Sequence, residues 1–241
     1  MSPEREGRGD GVAISVVVPA RNEAEEIQAT LSHVRAGEPH EILVVDGGST
    51  DDTVARAGAL ADRVLVSKPG RARQMNRGAG EASGDVLLFL HADTWLPVGW
   101  PRAVEQAISS GAIGGRFDVV LRGSHPRLRT IAALMNRRSR LTGIFTGDQA
   151  IFVRRDVFER LGGFEALPLF EDIALARRLR RAGKVAALRE KVSTSARRWD
   201  ENGVWRTIFL MWCLRLGYFL GISPARLARL YGIDVARVME D

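Results

Sequence analysis

Short, wholly apolar runs that stop abruptly at polar residues recur along this chain, and they restrict its fold more than any other feature. The runs are "AISVVVPA" (13–20), "EILVVDGG" (41–48), "RVLVSKPG" (63–70) and "DVLLFL" (85–90). Runs this short, rich in β-branched residues and bounded by turn residues, read as strands, the first, second and fourth of them buried. Helical spacing fills the gaps between them. "NEAEEIQATLSHVRAG" places Ile27, Leu31 and Val34 on one face, with Asn22 expected as N-cap, acids in the first turn and Gly37 as the stop. "STDDTVARAGAL" opens a second helix and "RARQMNRGAGEASG" forms a third. Beyond residue 90 the pattern predicts a helix over "GWPRAVEQAISSG", a strand over "AIGGRFDVVLRG", and helices near 126–140 and 171–182 flanking a strand at 149–155. This alternation predicts an α/β fold, a mostly parallel sheet with helices on both faces. The expected organisation is a disordered tail over 1–10, one catalytic-sized domain over 11–200, and a helical extension over 201–241.

In such sheets ligands bind at the carboxyl ends of the strands. Pro19-Ala20-Arg21, Asp46-Gly47-Gly48 and His91-Ala92-Asp93 each follow a buried run and are expected to converge on one crevice. Several chemistries are excluded there. The first strand is followed by "RNEAEE" and lacks G-x-G-x-x-G; no P-loop and no G-x-S-x-G elbow occurs. The four His are scattered, and the single Cys213 rules out a Cys-based zinc site or an internal disulfide. That cysteine count, with no apolar leader at the start, fits a reducing cytoplasm. Acidic strand ends suit sugar hydroxyls, a base N–H and a hard cation such as Mg²⁺ or Mn²⁺, which needs few protein ligands when a diphosphate supplies the others. The net charge of +6 suits an anionic partner. Negative charge is spread along the chain, which argues against nucleic acid.

The stretches "SVVVPARNEAEEI", "ILVVDGGSTDDT", the acidic end of the fourth strand, "GDQAIFVRRDVFERLGGF" and "FEDIALARRLRRAG" resemble, in that order, the family 2 glycosyltransferases of GT-A fold. The resemblance spans roughly residues 13–200. "FLHADT" and "GRARQMNRGA" look most like a small bacterial branch labelled rSAM-associated or arsenosugar-type. The resemblance implies inverting transfer from a nucleotide diphosphate sugar to an acceptor, with Mg²⁺ or Mn²⁺. Carried over by position, Pro19, Ala20, Arg21 and Glu23 would border the nucleotide together with His91 and Ala92, Asp46 would contact the base, and Arg73 and Asn76 would hold the nucleotide. Asp93 would bind the metal as the last acid of D-x-D, and Asp172 would be the catalytic base, with Glu171 as its alternative. Gly147, Asp148 and Gln149, and Arg198-Trp199, would lie near the sugar or acceptor. Two departures stand out: His91 replaces the first acid of D-x-D, and Ser195 replaces the Gln of the Q-x-x-R-W motif, which argues against long-chain polymerisation. Independently of the family, Arg71 and Arg73 open a helix near the crevice and suit phosphate.

Plainer readings compete. "DGGSTDD" would serve as a turn and helix cap, and Glu171 and Asp172 as first-turn acids. "RRLRRAG" reads as a solvated helix end, and His33, His40 and His125 as surface residues. A non-catalytic nucleotide-sugar sensor on the same fold is the alternative function. In "WRTIFLMWCLRLGYFLGI" (205–222), Trp205, Phe209, Trp212, Leu216 and Phe219 form a stripe, and Leu210, Leu214 and Tyr218 lie opposite. A helix apolar all round is buried or touches lipid. The leading expectation is packing on the core or on a second copy; the other is an interfacial helix at a membrane surface, since Arg215 and the short length argue against a span.

Overall fold

The computed structural model describes residues 11–197 and 203–239. The tail expected over 1–10, and Arg198 and Trp199, lie outside the described residues. The elements in chain order are β1 (Ile14–Ala20), α1 (Ile27–Arg35), β2 (Glu41–Asp46), α2 (Thr53–Gly58), β3 (Arg63–Val66), α3 (Arg71–Glu81), β4 (Val86–Phe89), β5 (Thr94–Trp95), α4 (Trp100–Ser109), β6 (Gly114–Arg122) and α5 (Leu128–Thr142). A 3₁₀ turn (Gly147–Gln149) leads to β7 (Ile151–Arg154), α6 (Arg155–Arg160), α7 (Glu171–Ala182), β8 (Val185–Ser195), α8 (Val204–Phe219), α9 (Pro224–Leu230) and α10 (Val235–Met239).

The sheet order is β3-β2-β1-β4-β7-β6-β8-β5. β3, β2, β1 and β4 are mutually parallel, as are β6 and β8; β7 runs antiparallel to both its neighbours, and β5 to β8. The runs of β1, β2 and β4 are continuous because both faces are covered, whereas β3 forms the sheet edge and has no buried residue. Val16 and Val18 of β1 pack with Ile27, Leu31, Trp100 and Val104 on one side, and Val17 packs with Met75, Ala79, Leu175 and Leu179 on the other. Gly78 lets α3 lie close on the sheet: a Cβ there would stand 2.4 Å from a Val17 methyl.

Three local expectations change. Helix α1 starts at Ile27, and Asn22 is no N-cap: it takes a left-handed φ of 54°, and its Oδ1 accepts from the Thr50 N–H at 2.8 Å. The polar stretch 22–24 is tied to the next loop instead of joining the helix. Strand β8 has no counterpart in the sequence reading, because Arg189-Glu190-Lys191 interrupts its apolar pattern on a largely exposed segment. The run at 177–183 is not wholly solvated: Arg178 reaches the Leu161 and Gly163 carbonyls.

The C-terminal helices gather around the start of α7. Leu214, Leu227, Ala228 and Val235 pack on Leu169, Phe170 and Ile173, with Leu210 and Tyr218 alongside. Of the two sides of α8, the one with Leu210, Leu214 and Tyr218 faces this small core. Trp205, Phe209, Trp212, Leu216 and Phe219 are all exposed, because the small core at α7 is filled by the opposite face.

Candidate active site

Register aligns the strand ends. Ala20 pairs with Asp46 across β1 and β2, and Val17 with Phe89 across β1 and β4, so His91-Ala92-Asp93 leaves the sheet beside Pro19 and Ala20. Pro19 and Ala20 are buried, and Arg21 at the lip is partly exposed. Gln74 of α3 stitches this edge: its Nε2 donates to the Ala20 carbonyl at 3.0 Å and the Val45 carbonyl at 2.8 Å. Gly47 must lack a side chain because its Cβ would meet the Gln74 amide at 2.9 Å. Gln74 carries no sequence signal of its own; only its register against two strand ends reveals it.

The acidic loop after β2 largely holds itself. Asp46 accepts the Gly48 N–H at 3.0 Å and the Ser49 N–H at 3.1 Å, an Asx-type turn. Asp51 accepts from the Thr53 and Ala24 N–H groups, and Thr53 Oγ1 accepts from the Glu23 N–H. The turn half of the plainer reading of "DGGSTDD" describes this loop, but its cap half does not, because Asp52 at the head of α2 makes no side-chain cap bond; the bonds to Ala24 and Glu23 lock the loop to the one after β1.

Asp93 is partly exposed, and its backbone carbonyl is held by Arg122 at 3.2 Å and the Ser195 N–H at 3.1 Å. Arg122 also stacks 3.5 Å over Trp95, whose other partner is the His33 ring. Glu23 lies close by and pairs with Arg197 at 3.2 Å. Burial pushes the Glu23 carboxyl up, and the charge of Asp93 adds to that push. Ala92, by contrast, is part of the core, and its carbonyl accepts from Thr30, so its side chain does not border the crevice.

Across the crevice stand the 3₁₀ turn and the start of α7. Gly147 lies against His91, where a Cβ would come within 2.5 Å of Nε2. Its N–H donates to Asp172 Oδ2 at 2.8 Å, and the Ile173 N–H donates to Oδ1 at 2.7 Å. One glycine thus links the end of β4 to the carboxylate at the head of α7. The Asp172 carboxyl is pushed up to about 7, chiefly by burial and then by the neighbouring charge of Glu171, against the two N–H bonds. Burial also raises Glu171 and Asp148, and the Arg71 cation opposes both shifts. Arg71, exposed at the head of α3, therefore faces the head of α7. Asp148 accepts from Thr146 Oγ1.

Two expected ligand contacts are claimed by the protein itself. Asn76 donates to the Phe164 carbonyl and accepts its N–H, each at 2.8 Å, so its amide is a clamp between α3 and the loop before α7. Gln149 is fully buried, with Nε2 directed to the Phe117 carbonyl at 3.3 Å and Ser139 Oγ at 3.2 Å, which turns it away from the crevice. Arg73 and Asn76 line a cavity of about 180 Å³ closed by Leu167 and Val238. The sequence reading missed Arg138. Its guanidinium is shielded from solvent, faces Asp148 and Asp172, and has no hydrogen-bond partner at Nε or Nη2 among the described residues. In the sequence it was one Arg among several in "NRRSR".

Comparison with known proteins agrees with this arrangement. The family model described as "Glycosyl transferase family 2" matches residues 15–162. Glucosyl-3-phosphoglycerate synthase of Mycobacterium tuberculosis is 34% identical over 106 residues, covering 39% of this chain and 33% of that protein. Dolichol-phosphate mannosyltransferase of Pyrococcus furiosus is 30% identical over 166 residues, covering 64% of this chain and 46% of that one. The chain thus spans about a third to a half of the length of these curated relatives. Among solved structures, the M. tuberculosis synthase with Mn²⁺, UDP and phosphoglyceric acid superposes with TM-score 0.62 at 23% identity, over 88% of this chain and 80% of that one. A Pyrobaculum calidifontis mannosyltransferase with GDP-mannose and Mn²⁺ superposes with TM-score 0.59 at 24% identity, over 76% and 56%. The likeness of these structures establishes the shared fold, and the match over more than half of its length places this chain in glycosyl transferase family 2.

Proposed function

We propose that the chain transfers a sugar from a nucleotide diphosphate donor to an acceptor hydroxyl, with inversion and with the help of Mg²⁺ or Mn²⁺. One observation carries the reading. A carboxylate with its pKa near neutrality, Asp172, is tied through Gly147 to the strand end that carries His91 and Asp93. A base must stand across the sugar from the leaving diphosphate, and one that titrates near working pH combines ionisation with proton affinity. Each Asp172 oxygen accepts one backbone N–H, which orients the group and leaves lone pairs for the acceptor proton.

The remaining roles follow from position. Arg71 and Arg73, in the first turn of α3, hold the diphosphate, where helix dipole and guanidinium charge act together. Asp46, Arg21 and Glu23 border the nucleoside at the lip. The residues at Asp93 fit a hard cation: the carboxylate is accessible, and its charge is felt by Glu23. Among the described residues no group of three or more His, Cys, Asp or Glu could hold a metal ion by itself, which suits an ion completed by donor phosphates and water. Such a cation neutralises charge on the leaving diphosphate. Solved relatives that bind UDP or GDP-mannose together with Mn²⁺ support this choice.

A thermal-shift screen of UDP-, GDP- and dTDP-sugars with Mn²⁺ tests donor binding. A true donor at 100 times its Kd adds about 2.7 kcal/mol of stability. Acceptor-dependent release of nucleotide diphosphate then separates an enzyme from a sensor. No stabilisation by any of the donors would refute the proposal.

A further inference from the structure

Helix α8 carries an exposed apolar face with a basic surround. Trp205, Phe209, Trp212, Leu216 and Phe219 are 66%, 73%, 72%, 60% and 54% exposed. At 100° per residue their positions fall within an arc of about 80°, and they run about 21 Å along the helix axis. Leu220 continues the strip at 74% exposure. From residue 203 to residue 233 the chain contains no Asp or Glu, and it contains Arg206, Arg215, Arg226 and Arg229. Arg206 and Arg215 flank the strip on opposite sides, about 100° and 80° from Trp205 around the axis. Its ends are bracketed as well: the Arg127 guanidinium lies 5.0 Å from the Trp205 ring, and that of Arg177 lies 4.7 Å from the Phe219 ring.

We propose that this face seats the protein on an anionic bilayer surface, lying in the interface without crossing it. The composition is that of an interfacial helix: Trp, Phe and Leu on one side, Arg along the flanks, and no acid to repel lipid phosphate. Trp rings favour the headgroup level. No helix among the described residues is long and apolar enough to cross a membrane. A second copy fits less well. A two-fold contact through this strip would bring arginines against arginines, with no acidic side chain on the segment to pair them. Through its inner face α8 packs on the turn before Asp172, with the Phe170 and Tyr218 rings 4.9 Å apart. The bilayer would therefore lie about one helix diameter from the head of α7.

The test is co-sedimentation of the full chain with vesicles of phosphatidylcholine plus phosphatidylglycerol, and of phosphatidylcholine alone, at low and high salt. Binding is expected to the mixed vesicles and to weaken with salt. Trp205→Ser, Phe209→Ser and Trp212→Ser together should weaken it by about tenfold or more. The melting temperature should not change, because these side chains touch little of the fold. Arg206→Glu with Arg215→Glu, which leaves the apolar strip intact, should abolish the preference for the anionic vesicles. The proposal is overturned if the wild-type chain ignores both vesicles, or if neither variant changes binding. It is also overturned if sedimentation velocity without lipid finds a dimer that the triple substitution dissociates while vesicle binding is nil.

Discussion

Asp172 offers the sharpest test of the proposed chemistry, because its ionisation sets the activity at ordinary pH. With a pKa of about 7, roughly a tenth of the groups are ionised at pH 6 and roughly nine tenths at pH 8, so the rate of transfer should rise about tenfold across that interval. The sign follows from the role: a general base works only when deprotonated, so the limb rises with pH. Burial is the first cause of the shift and the Glu171 charge the second. Glu171→Gln keeps the shape and removes the charge. The limb should then move below 7 while part of the shift remains, and activity at pH 6 relative to pH 8 should increase by up to about tenfold. The measurement is kcat/KM against pH for both proteins with an alcohol acceptor. Asp172→Asn should lower kcat by 10²–10⁴-fold, roughly what a positioned base supplies, with donor affinity unchanged. A limb that stays put in Glu171→Gln, or near-wild-type turnover of Asp172→Asn, would refute the assignment.

Other outcomes follow from the same geometry. Excess EDTA should stop transfer, and Asp93→Ala should weaken donor binding measured with Mn²⁺ more than binding measured without it; calorimetry reads both. Gly78→Ala should lower stability by about 1–3 kcal/mol in urea unfolding, because the new methyl overlaps Val17 and Val45 in a close-packed layer. Arg138→Gln should raise the KM for a phosphate- or carboxylate-bearing acceptor and leave it unchanged for a neutral one. Stability should increase as pH falls from 8 toward 6. The folded pKa of Asp172 is raised to about 7, so its ionised form costs stability above that value and protonation relieves the cost; Glu171 and Asp148 are raised as well and act in the same direction. Asp156 and Glu81, held down by Arg partners, lose their contribution only at more acid pH. A melting temperature that falls between pH 8 and pH 6 would contradict this.

The chain's own pattern was enough to place β1, β2 and β4, because a run buried on both faces must be apolar throughout and can end only at polar residues; β3, at the sheet edge with no buried residue, was legible only as a short Val-rich run. It was enough to bring Ala20, Asp46 and Asp93 to one edge, because parallel strands with right-handed crossovers present all their carboxyl ends together. The pattern could not distinguish a side chain that awaits a ligand from one that another part of the chain already holds. Asn76 and Gln149 stand in the right motifs, yet Phe164 and Phe117, far away in sequence, take up their amides. Arg138 and Gln74 looked ordinary until packing set one beside Asp172 and the other across two strand ends. The same limit applies to α8. Its composition announced a helix apolar on every side, but which side faces out depended on where Leu169, Phe170 and Ile173 leave room for Leu214. Periodicity reports what a segment can bury, and only the contacts made across the chain decide which of its faces is buried.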